Sequence, residues 1–201
     1  MMEKRWRHLD EKGWNKAMAI SKAAARLFNT RGYLESSMDD IAAAAKMSKG
    51  GIYHYFSSKD EILLFILSHY LDGILHGLEE SLDGIGEKDS KIKFIISRHI
   101  ALYVQSQPEA KTLLHEARCL PRKDFELIAE KERRYYQIVL QVLGEFFDGR
   151  IAKERLTVIT FLLFGMCNWI YSWYHPRGTV SPEELSAIIY DLFMEGVKKY
   201  Q

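Results

Sequence analysis

Apolar residues recur at helical spacing in every long segment of this chain, and no segment shows the strict alternation of a half-buried strand. Only four prolines interrupt the 201 residues. Start and stop signals divide the chain into about nine helices. These cover residues 14–30, 37–45, 48–55, 62–82, 88–106, 108–118, 122–147, 152–174 and 182–199. The sequence therefore predicts an all-α fold.

Positive charge is concentrated at the front of the chain. Residues up to Phe56 hold ten basic and six acidic side chains, a net charge of +4, whereas the remainder holds 18 basic and 21 acidic ones, a net charge of −3. This distribution fits a polyanion partner for the front alone, and it fits a solvated basic face equally well. Two cysteines without metal-type spacing and a polar N-terminus without a signal segment favour a cytoplasmic location.

The stretch Thr157–Tyr174 has 18 residues without a formal charge, which is the lower limit of membrane-spanning length. A stripe of small and polar residues nevertheless falls on one side of this helix. Such a stripe suits close packing between helices of a soluble protein. We therefore expect a buried or interface helix and no membrane partner.

Residues 37–56 have the pattern of a helix-turn-helix, with two short helices joined by Lys46-Met47. The second helix of such a unit enters the major groove of DNA, which is about 12 Å wide. Ile52 and Phe56 are placed to face the protein core. The other residues of this helix are candidates for DNA contact, because the two glycines let the backbone approach DNA closely and the larger side chains supply hydrogen-bond donors. They are Lys49, Gly50, Gly51, Tyr53 and His54.

The stretch from Gly32-Tyr33 to Leu63 closely resembles the DNA-binding domain of the TetR family. The resemblance rests on Ser36-Ser37-Met38-Asp39-Asp40-Ile41-Ala42, Ser48-Lys49-Gly50, Ile52-Tyr53-His54-Tyr55-Phe56 and Ser58-Lys59-Asp60-Glu61. It implies a transcriptional repressor that binds a palindromic double-stranded DNA operator. It also implies phosphate contacts for Ser37 and Tyr55 and a hold on the DNA backbone for Lys59. The whole implied interface is Ser37, Ser48, Lys49, Gly50, Gly51, Tyr53, His54, Tyr55 and Lys59.

Two residues depart from the family pattern. Lys46 occupies a turn position that usually holds glycine, so we expect a positive φ there. Gly51 stands where the family often has threonine, which removes one hydroxyl contact to DNA. Ahead of the first helix, a basic arm (Lys4, Arg5, Arg7 and His8) either reaches a phosphate or the minor groove or frays as a tail.

The resemblance divides the chain into a DNA-binding domain at 1–56 and an effector-binding and dimerisation domain at 57–201. In the family, the last two long helices pair with those of a second subunit to form a homodimer. Independently, the helix 152–174 is too apolar to face water on any broad side. The predicted dimer interface is Thr160, Phe164, Asn168, Ser172, Ile189 and Phe193.

Two later segments, Leu114–Pro121 and Asn168–Pro176, resemble the C-terminal domains of one broad TetR branch. Several members of that branch control fatty-acid, aromatic-acid or sterol breakdown and respond to acyl-CoA thioesters. This resemblance implies a small hydrophobic effector, an acyl-CoA or alternatively a free hydrophobic acid, drug or other metabolite, and no cofactor. The candidate pocket residues are Phe65, Leu67, Leu71, Phe94, Arg98, Leu102, Tyr103, Arg118, Arg133, Tyr136 and Phe164.

Catalysis finds no support in the sequence. The seven histidines are scattered without an HExxH motif or a metal cluster, and neither a nucleophile elbow nor a P-loop is present. We therefore expect no enzyme and no metal site. A helical adaptor whose front helices meet a protein is the other alternative, and the salt dependence of binding separates it from a DNA-binding protein.

Overall fold

The computed structural model describes Trp6 and residues 9–200, and every regular element in that part of the chain is helical. Short 3₁₀ turns follow the seventh, ninth and tenth helices, at Ala117–Cys119, Trp169–Ser172 and Lys198–Tyr200. The predicted all-α fold is confirmed. The helices of the described part are α1 (Glu11–Arg31), α2 (Met38–Ala44), α3 (Lys49–Tyr53), α4 (Lys59–Leu75), α5 (Leu78–Asp83), α6 (Lys88–Gln105), α7 (Gln107–Glu116), α8 (Arg122–Phe146), α9 (Lys153–Asn168) and α10 (Pro182–Val197).

The predicted helix 62–82 is interrupted at His76-Gly77. Gly77 has φ 64°, a left-handed conformation that glycine adopts without the steric cost of a Cβ atom. Because of this break, α4 ends at Leu75 and α5 starts at Leu78. The described residues therefore form ten helices where about nine were predicted.

Side-chain caps begin several helices where the sequence predicts them. The Ser37 hydroxyl accepts the Asp40 N–H at 3.1 Å, and the Asp40 carboxylate accepts the Ser37 N–H at 2.9 Å, which completes a capping box. Ser48 and Ser181 cap α3 and α10 in the same way, each accepting an N–H at 3.1 Å. At the start of α4, the Ser58 hydroxyl accepts the N–H of Glu61 at 3.2 Å, and the Glu61 carboxylate accepts the N–H of Ser57 at 2.7 Å.

The contacts within the chain group into two compact units. The first contains the described residues up to Gly73 together with Ser106–Glu132, and the second contains Ile74–Gln105 together with the residues from Arg133 onward. The domain boundary that the sequence suggests after Phe56 concerns function and stays a prediction. Packing places α4 as far as Gly73, the whole of α7 and the start of α8 with the helix-turn-helix.

An aromatic cluster forms the centre of the first unit. The Phe65 ring lies 4.8 Å from Trp6, 5.2 Å from Trp14 and 5.3 Å from Phe56, measured between ring centroids. Ile52 and Phe56 are buried, as the helix-turn-helix pattern predicts. Each such side chain contributes about 1.5–3 kcal/mol of stability through removal of apolar surface from water. The burial of Ile52 and Phe56 thus sets which face of α3 points outward.

The second unit is built mainly on α6 packed against α10, with α9 contacting both helices. Two helical stretches, Lys59–Asp83 and Lys153–Ser172, are long and apolar enough to span a membrane by length and composition alone. In the first stretch 61% of the apolar window is buried inside the fold, which identifies a core helix. In the second stretch only 28% is buried, so α9 keeps most of its apolar surface on the outside.

Lys46 has φ 55°, as predicted for the residue that replaces the usual turn glycine. A left-handed conformation costs a residue with a Cβ roughly 1–2 kcal/mol. The turn between α2 and α3 therefore carries backbone strain at one position.

The substitution Lys46→Gly is expected to raise the free energy of unfolding by about 0.5–1 kcal/mol, because the relief of strain exceeds the entropy that glycine adds to the unfolded chain. Urea denaturation followed by circular dichroism measures the change. The matched control is Ala45→Gly, since Ala45 lies in the right-handed region. That control is expected to lower stability by about 0.5–1 kcal/mol. Equal losses in both variants would contradict the strain argument.

Candidate nucleic-acid interface and effector-binding core

The helices α2 and α3 form a helix-turn-helix whose outer face is open to solvent. Ile52 anchors α3 from the inside, and Ser48 caps its first turn. On the outside, the Tyr53 side chain is 46% exposed, and Lys49, Gly50 and His54 are exposed as well. The structure therefore brings four of the predicted DNA-contacting residues together on one short helical face.

The two consecutive glycines of α3 have different physical roles. A Cβ atom at Gly50 would meet nothing within 4 Å, so this position leaves room for another molecule to approach the backbone. A Cβ atom at Gly51 would lie 3.2 Å from the Ser48 hydroxyl oxygen and 3.4 Å from the Met47 methyl carbon. A side chain at Gly51 would therefore crowd the serine that caps the helix. Of the two glycines, Gly50 is the one that leaves room for the close approach predicted for both.

Ser37 and Tyr55, the predicted phosphate contacts, lie on opposite sides of the turn. The Ser37 hydroxyl is exposed and donates to the Asp40 carboxylate at 2.5 Å. Hydrogen bonds from Ser37, and secondarily the Arg31 guanidinium, hold the pKa of Asp40 below its usual range. Tyr55 is half-buried and packs edge-on against the His54 ring at 4.9 Å. A phosphate at Ser37 would have to replace the hydroxyl's present bond to Asp40.

Lys59 holds the loop between α1 and α2 through backbone carbonyl groups. Its ammonium donates to the carbonyl oxygens of Tyr33 and Ser36 at 2.7 Å each, and it lies 4.3 Å from the centre of the Tyr33 ring. The Tyr33 hydroxyl in turn bonds to the carboxylate of Asp60. Burial and that bond raise the pKa of Tyr33 well above its usual range. Sequence reasoning assigned Lys59 to the DNA backbone, but its ammonium is engaged with the protein backbone.

The same loop is tied to the segment that follows residue 106, within the first unit. The Tyr33 N–H donates to a Glu116 carboxylate oxygen at 3.4 Å, and the Cys119 thiol lies 3.6 Å from the other oxygen. The Asn29 amide donates to the Pro108 carbonyl at 2.7 Å. Helix α7 is therefore fastened to the C-terminal half of α1 and to the loop before α2.

In the second unit, a neutral histidine joins three helices. The His99 ring lies 3.0 Å from the Asn168 amide oxygen through Nε2 and 3.0 Å from the Tyr135 hydroxyl through Nδ1. Because an amide oxygen only accepts, Nε2 carries the hydrogen, and Nδ1 accepts from Tyr135. Burial lowers the pKa of His99 to about 4. No sequence signal identified this network, since its members are scattered along the chain.

A second polar group lies one helical turn away on α6. The Tyr103 side chain is buried, and its hydroxyl has no hydrogen-bond partner within the described part of the chain. Burial raises the pKa of Tyr103 to about 12, so the hydroxyl keeps its proton at neutral pH. An unpaired buried hydroxyl costs about 1–3 kcal/mol and is a ready donor for a ligand oxygen.

The other predicted pocket residues are divided between the two units. Phe164 is half-buried, with its ring 5.3 Å from Tyr135 and 6.4 Å from Tyr136. Arg98 donates to the carbonyl oxygens of Ile74 at 3.3 Å and His76 at 2.6 Å, so it caps the end of α4. Phe65, Leu67, Leu71 and the exposed Arg118 belong to the first unit, and Phe94, Arg98, Leu102, Tyr103, the exposed Arg133, Tyr136 and Phe164 belong to the second.

The predicted dimer residues need correction. Thr160, Ile189 and Phe193 are buried by the chain's own side chains, and Asn168 is bonded to His99. The Thr160 hydroxyl donates to the Leu156 carbonyl of its own helix at 2.8 Å, and Ser172 alone of the predicted set is exposed. The exposed apolar face consists instead of Val158, Phe161, Leu162 and Trp169 with Ile188 and Leu192 of α10.

The basic arm at Lys4, Arg5, Arg7 and His8 lies outside the described residues. Among those that are described, α1 and the end of α2 form a surface groove lined by Lys22, Arg26 and Lys46, without a carboxylate in its lining. The basic front that composition indicates is therefore present as an exposed surface of the first unit.

Family comparison matches both halves of the chain. Residues 20–66 match the family described as bacterial regulatory proteins, tetR family, and residues 86–197 match the tetracyclin repressor-like C-terminal domain. The HTH-type transcriptional repressor KstR2 of Mycolicibacterium smegmatis is 26% identical over 192 residues, which is 90% of each chain.

Two solved structures are similar over nearly the full length. A TetR-family transcriptional regulator from Bordetella parapertussis is 31% identical with a TM-score of 0.87, covering 92% of this chain and 97% of its own. AibR, solved in complex with isovaleryl coenzyme A and operator DNA, is 27% identical with a TM-score of 0.77, covering 88% and 97%.

The buried His99 predicts a loss of stability on acidification. Its pKa is about 4 in the folded protein against an ordinary value of 6.5, so between these values the unfolded chain binds a proton that the folded chain does not. The free energy of unfolding therefore rises with pH across this window, and it falls on acidification by up to about 1.4 kcal/mol per unit.

Urea denaturation of the wild type and of His99→Gln between pH 7 and pH 4.5 checks this dependence. In the variant, the free energy of unfolding is expected to change much less between pH 6.5 and pH 4.5 than it does in the wild type, even if the variant is less stable at every pH. His175→Gln is the matched control, because His175 is exposed, and it should keep the wild-type slope. An unchanged slope in His99→Gln would show that other groups cause the dependence.

Proposed function

Because the chain belongs to the TetR family of bacterial regulatory proteins, we propose that it is a cytoplasmic repressor that binds operator DNA as a homodimer and leaves it when an acyl-CoA thioester binds. The observation that carries the DNA-binding part is the exposed face of α3, with Lys49, Gly50, Tyr53 and His54 presented over a buried Ile52. A helix of this kind fits the major groove and supplies donors to base edges and phosphates.

The exposed apolar face of α9 and α10 supports homodimer formation. Phe161, Leu162 and Trp169 are each 61% exposed, and Leu192 is 65% exposed. Several exposed apolar side chains on two contacting helices are uncommon on a monomer and typical of a protein interface. Two copies of α9 and α10 would form a four-helix interface and would place two α3 helices for two half-sites of a palindromic operator.

The effector class rests on two observations. A relative of known structure, AibR, was solved with isovaleryl coenzyme A and operator DNA. In this chain, the Tyr103 hydroxyl is buried, protonated and unpaired within the described part, which suits a bond to the carbonyl oxygen of a thioester. The exposed Arg133, in the same unit as Tyr103, is a candidate for a phosphate of coenzyme A, while buried aromatic and aliphatic residues of that unit would hold the acyl chain.

We propose that α4 transmits the effector signal. Lys59 and Asp60 tie the first turn of α4 to the loop before α2, so a displacement of α4 would also move α2 and α3. An effector that favours one position of α4 would change the distance between the two α3 helices of the dimer. Operator and effector would then weaken each other's binding to the same degree.

The double substitution Tyr53→Ala with His54→Ala is expected to reduce specific operator affinity about 100-fold, since each lost contact costs on the order of 1–3 kcal/mol. Fluorescence anisotropy on labelled DNA from upstream of the protein's own gene measures this loss. The matched control is Tyr200→Ala, which removes an exposed aromatic side chain in the other unit. Sedimentation should show the same dimer in all variants, and loss of dimerisation on changing α3 would contradict the assignment of the two surfaces.

Titration of the protein–DNA complex with medium- and long-chain acyl-CoAs tests the effector. Release by one class of thioester is expected, and Tyr103→Phe should raise the concentration needed about tenfold without changing operator affinity, because one hydrogen bond to the effector is lost. Coenzyme A and the free acids serve as controls. If no thioester releases the operator, the assignment as a repressor stands and the acyl-CoA assignment is excluded. If binding does not depend on salt concentration, a protein partner is favoured over DNA.

A further inference from the structure

An ion pair links the two helices of the helix-turn-helix on its exposed side. The Lys49 ammonium, on the first residue of α3, lies 2.9 Å from one carboxylate oxygen of Asp39 and 3.1 Å from the other. The two side chains are 60% and 65% exposed. The bond to Asp39 and its charge raise the pKa of Lys49, so the ammonium stays charged at neutral pH.

Asp39 lies in the first turn of α2, where the positive end of the helix dipole favours a carboxylate, but this position does not account for its pairing with Lys49. Its neighbour Asp40 completes the capping box with Ser37 and pairs with Arg31 at 2.7 Å. Asp39 takes no part in that cap. An exposed ion pair contributes little to stability, because solvent screens it and two long side chains must be ordered. A negative charge beside a surface that meets phosphates also opposes DNA binding. We therefore look for the role of Asp39 in the position at which it holds the Lys49 ammonium.

Pairing changes what Lys49 can do at DNA. A free lysine on this face would move to the nearest phosphate, which adds affinity for every sequence. Paired with Asp39, the ammonium belongs to a group of zero net charge and gains little from a phosphate. Two of its three hydrogens are directed toward Asp39, and the third remains for an acceptor. In the major groove the acceptors that suit lysine are O6 and N7 of guanine.

We propose that Asp39 is a positioning residue for operator recognition, which keeps Lys49 off the phosphates and directs it to one guanine in each half-site. The proposal rests on the proposed operator binding. It accounts for a carboxylate on the DNA-facing side of α2 and for an ion pair that stability does not require. Gly50, which follows Lys49, leaves the space in which the base edge can approach.

The test compares the wild type with Asp39→Asn, Lys49→Met and the double variant. The operator is first selected by the wild-type protein from random DNA duplexes. Binding is then measured by anisotropy on that operator and on duplexes with one base pair changed in both half-sites. Glu130→Gln is the matched control, because it removes one negative charge from an exposed position elsewhere in the same unit. Circular dichroism verifies that each variant is folded.

We expect both single variants to lose discrimination at the same guanine, by on the order of 10-fold to 100-fold. Asp39→Asn alone should bind random DNA more tightly, with a salt dependence steeper by about 0.9 in the log–log slope, because Lys49 is released to a phosphate. The double variant should discriminate no worse than Lys49→Met. The Glu130→Gln control should keep the wild-type specificity.

Two results would overturn the proposal, and they are distinguishable. If Asp39→Asn keeps its guanine preference within about twofold at every position while the wild type still selects an operator, Asp39 is a surface charge and operator binding stands. If the wild type selects no duplex at all, operator binding itself fails, and the role of Asp39 fails with it.

Discussion

The arrangement of the first unit depends on the ammonium of Lys59 and the carbonyl oxygens of the loop before α2. Carbonyl groups in a loop between two helices have no helical partners and need donors from elsewhere. Lys59 supplies them at Tyr33 and Ser36. Because Lys59 is also the first residue of α4, the same contact joins the helix-turn-helix to the helix that follows it. Movement of α4 would therefore carry the DNA-binding helices rather than leave them behind.

Local features of this fold were predictable from sequence because their causes are local. A capping serine and an acceptor three residues later lie within one helical turn, and the box at Ser37 and the serine cap at Ser181 follow from that spacing. The positive φ of Lys46 follows from the turn in the same way. The break at Gly77 was missed because the apolar pattern continues through it, and a single glycine is compatible with a continuous helix.

Features that depend on which helix packs on which were not predictable. Thr160 and Asn168 of α9 were expected at the dimer interface, but Thr160 is buried within its own unit and Asn168 bonds to His99. Helical periodicity shows that a helix has two different faces, yet it does not show which neighbour covers each one. The carbonyl contacts of Lys59 were not predicted for a related reason: Tyr33 and Ser36 lie more than twenty residues away in sequence.

The core of the second unit contains two buried polar groups, of which one is fully hydrogen-bonded and the other has no partner in the described part of the chain. His99 has both ring nitrogens bonded and remains neutral, so it joins α6, α8 and α9 at a small electrostatic cost. Tyr103, one turn further along α6, keeps an unpaired hydroxyl within the described part. An unpaired buried hydroxyl lowers stability, which fits the ligand contact proposed for Tyr103. At the DNA-binding surface, Lys59 bonds to backbone carbonyl groups, Arg31 pairs with Asp40, and Lys49 pairs with Asp39. The net charge of the front already counts these ion pairs as neutral, so its attraction for DNA of any sequence comes from its other cations, such as Lys22, Arg26 and Lys46 of the surface groove.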